Sequence, residues 1–275
     1  LSPRTGVWLE AQRSCVVAAT PGQLACCSII NFEPLDHPLR YNMKKTTVLL
    51  GLLMLSTFAL AQSNEVRTDR VLTKAEQQAL PPAQVIALLT NGNDRFVSGK
   101  KTIRDHSSLV REAVSGQHPK AIILSCVDSR VPVEDVFDQG IGDVFVARVA
   151  ANIENTDILG SMEFATKVSG AKVILVLGHE RCGAIAAAID NVQLGNITAL
   201  LENVKPAVEA LSDYPGDKTS ANPEFVHLVA EKNVEITMQN ILEKSPIVAE
   251  MVKAGDVSIV GALYNMHTGE VEFLN

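Results

Sequence analysis

Ala121-Ile122-Ile123-Leu124-Ser125-Cys126-Val127-Asp128-Ser129-Arg130 is the stretch whose reading decides the fold. A short aliphatic run ends abruptly in a polar cluster, which is how a strand buried on both faces looks where it leaves the sheet. About fifty residues later Val173-Ile174-Leu175-Val176-Leu177 repeats the pattern and runs through Gly178 into His179-Glu180-Arg181-Cys182. Open α/β sheets place their chemistry at such strand ends. Residues 144–148 and 258–264 read as two further strands, and 271–274 folds back on the latter across Thr268-Gly269 as a hairpin.

Helical faces lie between and before these strands. Thr73-Lys74-Ala75-Glu76 fits a capping box and opens a short helix that stops before Pro81-Pro82. A second helix carries Val85, Leu88 and Leu89 on one face and is predicted to end near Asn91-Gly92. Others use Ile158, Met162 and Ala165, start near Cys182, use Phe225, Leu228 and Val229, or use Ile247, Val248, Met251 and Val252. Ile197, Leu200, Leu201, Val204, Val208 and Leu211 share one face of a single predicted helix. Residues 213–223 are the most loop-like. Strands alternating with helices predict an α/β fold, a mostly parallel central sheet flanked by helices with a C-terminal antiparallel edge strand.

Met43-Lys44-Lys45, the apolar run 46–60 and Ala59-Leu60-Ala61 have the form of a secretory signal peptide. The expected organisation is therefore an unfolded upstream leader over 1–42, a signal over 43–61, and a single catalytic α/β domain over 62–275. That domain would be exported to the periplasm. It holds 28 acidic against 19 basic side chains, a balance that argues against nucleic acid, or a membrane after processing, as partner.

Cys15, Cys26 and Cys27 precede the cleavage site, so the mature chain keeps only Cys126 and Cys182. Two cysteines in an exported chain can form one disulfide, with His179 a core residue. Their settings favour a metal, because each has a further ligand-type residue two or three positions away. Two thiolates and an imidazole form the mixed S/N set that suits zinc, and three protein ligands leave a fourth position open. A closed structural zinc with Asp128 as the fourth ligand is the other metal reading. Gly178 and Gly183 flank the turn after the second strand and are expected to let it bend tightly.

The two segments, Cys126-Val127-Asp128-Ser129-Arg130 and Gly178-His179-Glu180-Arg181-Cys182-Gly183, resemble the signature of the β-class carbonic anhydrases. Asn93-Asp94-Arg95-Phe96, residues 116–120, 142–148, Ala151-Asn152-Ile153 and 259–262 fall where that family has similar blocks, so the resemblance covers roughly residues 75–275. It implies a zinc lyase that reversibly hydrates carbon dioxide to bicarbonate and a proton by means of a hydroxide on zinc. Cys126, His179 and Cys182 would ligate one Zn2+ per subunit. Asp128 and Arg130 would form a carboxylate–guanidinium dyad beside it, and Gln117 would give an amide hydrogen bond to substrate. Asp128 would also be a conditional fourth ligand, closing the site at lower pH when Arg130 releases it.

Phe145 and Phe164 fall at apolar wall positions near a subunit boundary of the family. The helices over about 73–98 would reach across to a partner in a homodimer or homotetramer. The tryptophan that some members use in a regulatory bicarbonate pocket has no counterpart after the signal, since the chain's one tryptophan is Trp8. His118 adjoins Gln117 and is a candidate proton carrier. His106, His227, His267, Glu180 and Arg181 read as surface residues. Two alternatives keep the same site: a hydrolase of carbonyl sulfide or carbon disulfide, and a non-catalytic zinc-binding protein. The dyad and Gln117 weigh against the latter, since a purely structural site needs neither.

Overall fold

The computed structural model describes residues 70–274. The expected leader and signal segment, residues 1–61, lie outside the described residues. Five strands, β1 (Ala121–Ser125), β2 (Val144–Arg148), β3 (Val173–His179), β4 (Ser258–Tyr264) and β5 (Val271–Phe273), form one sheet in the order β2-β1-β3-β4-β5. β1 runs parallel to both β2 and β3, and β3 runs parallel to β4. β5 closes the sheet antiparallel to β4. The expected class is the one found.

Alternation along the central strands separates two cores. Ile122, Leu124, Ile174 and Val176 belong to one, and Ala121, Ile123, Val173, Leu175 and Leu177 to the other. Both faces of β1 and β3 are therefore apolar and every residue of the two strands is buried. Cys126 continues the even series and lies in the first core.

Before β1 come α1 (Lys74–Ala79), α2 (Pro82–Val97) and α3 (His106–Ala113); α4 (Val133–Val136) follows β1 and α5 (Thr156–Glu163) follows β2. After β3 come α6 (Gly183–Ile189), α7 (Gly195–Glu202), α8 (Lys205–Glu209), α9 (Pro223–Lys244) and α10 (Pro246–Ala254). The capping box of α1 is formed, Thr73 Oγ1 accepting from Glu76 N and the Glu76 carboxylate from Thr73 N. Within the segment expected to reach toward a partner, α2 is anchored in this chain, with Val85 and Leu89 fully buried in the second core.

Two helix expectations need correction. α2 does not end at Asn91-Gly92 but continues to Val97. Gly92 permits a close approach rather than a stop, since a Cβ there would lie 1.9 Å from Phe137 O. Asn93 serves tertiary structure: its Nδ2 donates to Val136 O and Gly269 O, and its Oδ1 accepts from Val271 N. The single face over 197–211 is two helices, α7 and α8. Pro206 has no N–H for the Glu202 carbonyl and its ring crowds that carbonyl, so the chain breaks at Asn203 and Val204.

A buried ionic hub fixes the segment that crosses from α2 to α3. Asp138, just after α4, adopts φ 48° and accepts from Arg95 Nε and Arg104 Nη1, each at 2.6 Å, and from Thr102 Oγ1 at 2.7 Å. Among the described residues no helix is long and apolar enough to cross a membrane.

Candidate metal centre

Register brings the two diagnostic segments together. Ser125 lies opposite Leu177, so Cys126 and Gly178 leave β1 and β3 side by side, while His179 pairs with Tyr264 of β4. The chain then turns and Cys182 becomes the N-cap of α6. The left-handed residue in this turn is Arg181, at φ 54°, and not either glycine. Gly178 answers a packing demand instead: a Cβ would come within 2.7 Å of both Leu263 Cδ2 and Val234 Cγ2. Gly183 has nothing within 4 Å of a built Cβ, so the expected bending role of the two glycines does not hold.

Cys126 Sγ, Cys182 Sγ and a ring nitrogen of His179 lie within 4.8 Å of one another, and all three residues are buried. The sulfurs are 4.0 Å apart and the cysteines are free. That gap is about twice the 2.05 Å of a disulfide, but an ion about 2.3 Å from each sulfur spans it. His179 Nδ1 faces Glu180 O at 2.8 Å and donates to it, which leaves the Nε2 lone pair pointing into the cluster. Nε2 is buried with no hydrogen-bond partner. Leaving such an acceptor unsatisfied costs about 1–3 kcal/mol, which a metal bond removes, and a backbone carbonyl on the other nitrogen is the usual support of a ligating histidine.

The thiols are also arranged as ligands. Cys126 is drawn toward the thiolate form, first by the hydrogen bond from Cys182, then by His179 and the backbone N–H groups of Asp128 and Ala151, against the opposing effect of burial. Cys182 is pushed the other way by holding the proton for Cys126 and by its own burial. A divalent ion bound by the two sulfurs would compete with their protons. Ala151 reaches the sulfur because it turns left-handed at φ 60° in the short helical turn Ala150–Asn152.

Asp128 stands at the mouth of the cluster, with Oδ2 3.9 Å from His179 Nε2. Arg130 engages both carboxylate oxygens, Nε on Oδ1 at 2.9 Å and Nη2 on Oδ2 at 2.7 Å, and its backbone N–H adds a third bond to Oδ1. Chiefly for that reason the carboxyl is held down at about 2 and is ionised at neutral pH. Arg130 Nη2 also reaches Arg181 O at 3.3 Å, joining the two diagnostic segments directly.

Gln117 and His118 are not part of this cluster. They precede β1 and Gln117 is exposed, whereas Cys126 follows the other end of the strand. Five residues at about 3.3 Å each place the length of β1, roughly 16 Å, between those ends. Phe145 and Phe164 do meet, edge to face at 6.2 Å between centroids, and Phe164 is 48% exposed. With Ala147 and Ile158 they line a groove between β2 and α5.

Three contributors escaped sequence reasoning. Glu180 ties the turn to the hairpin, its N–H donating to Tyr264 O and its carboxylate accepting from Met266 N. Ala151 supplies a thiolate donor, and Arg148 donates Nε to Cys126 O at 2.9 Å and Nη2 to Asp128 O at 2.5 Å. Each of these contacts has a backbone group at one end, which carries no residue-type signal.

Residues 121–271 match the family model described as carbonic anhydrase. The chain is 34% identical over 194 residues to carbonic anhydrase 2 of Mycobacterium tuberculosis, covering 68% of this chain and 90% of that protein. It is 33% identical over 198 residues to a carbonic anhydrase of Mycolicibacterium smegmatis, covering 70% and 92%. Among solved structures it is similar to a β-carbonic anhydrase of Aspergillus fumigatus, with a TM-score of 0.56 at 25% identity, over 70% of this chain and 90% of that one. The tetrameric β-carbonic anhydrases of Sordaria macrospora give the same score and identity over 70% and 98%.

Proposed function

The chain belongs to the β-class carbonic anhydrase family, and from that premise we propose that it hydrates carbon dioxide reversibly at a zinc ion held by Cys126, His179 and Cys182. The observation that carries the reading is the buried Cys–His–Cys cluster with His179 Nε2 left without a partner. Zinc in such a three-ligand site supplies Lewis acidity that brings the pKa of water down toward neutrality.

The protein's own groups orient the reactants. Asp128 Oδ2 would accept a hydrogen bond from the O–H of a water or hydroxide at the mouth of the cluster and so set the direction of its lone pair. Arg130 keeps that carboxylate charged and engaged; released from Arg130, Asp128 would be free to join the residues that hold the metal and close the site. Glu180 O fixes the ring of His179 through Nδ1. Phe145 and Phe164 offer the apolar wall that an uncharged, poorly hydrated gas favours.

Gln117 lies a strand length from its own chain's cluster, so its amide serves the site of a second copy. That role calls for a homodimer or homotetramer, and the half-exposed Phe145–Phe164 groove supports the same reading. The chain acts after export to the periplasm, with cleavage after Ala61.

Metal analysis and stopped-flow hydration of carbon dioxide on the purified protein test the reading together. One zinc per chain is expected, with hydration lost in His179→Ala alongside the metal. A folded, fully zinc-loaded protein with no hydration above buffer, or one that releases sulfide from carbonyl sulfide instead, refutes it.

A further inference from the structure

Arg148 is exposed, stands at the end of β2, and reaches the metal-centre loop through two backbone carbonyls rather than through a ligand side chain or the Asp128 carboxylate. Its register partner is Ser125, and the next residue, Val149, donates its N–H to Ser125 O at 3.1 Å. That pairing holds the Arg148 side chain alongside the loop Cys126-Val127-Asp128. Nε donates to Cys126 O at 2.9 Å and Nη2 to Asp128 O at 2.5 Å, so the two carbonyls flanking Val127 converge on one planar guanidinium.

The opposite side of the same loop faces the metal centre. Cys126 Sγ lies 4.0 Å from Cys182 Sγ, and the Asp128 carboxylate sits on Arg130. The fork has fixed spacing, so the loop cannot rotate its Asp128 peptide without breaking one of the two carbonyl bonds. Arg130 holds the Asp128 carboxylate, whereas the Asp128 carbonyl is held by the Val131 N–H at 3.2 Å and by Arg148. A second anchor on the backbone of Asp128 is therefore mechanically significant.

We propose that Arg148 is a positioning residue that clamps the carbonyls of Cys126 and Asp128 and thereby keeps the Asp128 carboxylate on Arg130 and out of the metal cluster. The effect on the reaction rests on the zinc site proposed above, but the clamp itself is a property of the metal-free chain. Removing the fork frees the loop, and Asp128 then competes for the open ligand position.

Arg148→Met, which keeps an apolar stem without donors, and Arg148→Lys, which offers a point charge without a fork, are compared with wild type. In the metal-free proteins, amide exchange at Asp128 and Val131 is measured by NMR. Loss of both guanidinium bonds is expected to speed it about tenfold in Arg148→Met, with Arg148→Lys between. In the cobalt-substituted proteins, metal stoichiometry should stay at one per chain while the visible spectrum moves toward that of a carboxylate-ligated ion; kcat should fall with little change in KM. Unchanged exchange and an unchanged cobalt spectrum overturn the proposal, as does full recovery of both by lysine. If Arg148→Met does not fold, Arg148→Lys carries the same comparison. A wild-type protein without metal or hydration activity would sink the functional reading, and the exchange measurement would still decide the clamp.

Discussion

Replacing Asp138 by Asn removes the charge at the centre of the buried hub with little change of shape. At φ 48° the backbone is left-handed, a conformation that Asn adopts as readily as Asp. The Asp138 side chain is 0% exposed and faces Arg104 at 6% and Arg95 at 31%. Withdrawing one member of a buried charge pair costs about 3–5 kcal/mol. Arg95 reaches solvent and the Asn oxygen still accepts one bond, so the lower end, about 3 kcal/mol, is expected. For a domain of about 200 residues that lowers Tm by about 6–12 °C at pH 7.

Acid should erase much of this difference. Burial pushes the Asp138 carboxyl up, but Arg104, Thr102 and Arg95 overcome it and hold the group at about 2 against an ordinary 3.8. Because the folded value lies below the unfolded one, the stabilisation is complete above about pH 4 and disappears as pH falls toward 2. The drop corresponds to about 2.4 kcal/mol, which wild type loses on acidification and Asp138→Asn does not. Urea denaturation followed by far-ultraviolet circular dichroism, at one protein concentration and a series of pH values, reads both quantities without the screening that a guanidinium salt adds. A gap below about 1 kcal/mol at pH 7, or one that stays constant down to pH 2, refutes the reasoning.

The same measurement applies to two other buried positions. Gly92→Ala should destabilise by about 3 kcal/mol, because its Cβ meets the Phe137 carbonyl, a backbone group that cannot swing aside, and α2 must lift off the core; wild-type stability would mean that the approach is looser than described. Ser125 Oγ is buried without a hydrogen-bond partner, so Ser125→Ala should leave stability unchanged or raise it by up to about 1 kcal/mol, with metal content intact. A clear loss there would reveal a partner for the hydroxyl.

β1 and β3 were legible because burial on both faces writes itself as continuous aliphatic runs, and the half-buried β2, β4 and β5 also fall on apolar runs read in the sequence. The ligands were legible because sulfur and imidazole donors are rare and sat at strand ends. α3 was not: its one buried residue is Leu109, and a helix that buries a single side chain leaves no periodic apolar trace. Asn91-Gly92 looked like a stop because local rules price glycine and asparagine as breakers, whereas here Gly92 answers a close approach to Phe137 and the neighbouring Asn93 bonds to the β4–β5 hairpin. Pro206 was visible in the sequence and should have divided the 197–211 helix, but the apolar period outweighed it. The left-handed turn at Arg181 and the carbonyl clamp of Arg148 depend on backbone direction, which side-chain identity does not record.

Cys126 owes its place to parity. It extends the even-numbered side chains of β1, which is why its sulfur emerges on the same side of the sheet as the start of α6. Adding or removing one residue between Ala121 and Ser125 would keep every chemical group and yet deliver the thiol to the opposite core, beyond reach of Cys182. Adding or removing two would bring it back. Which core receives the thiol is thus set by how many steps the strand takes.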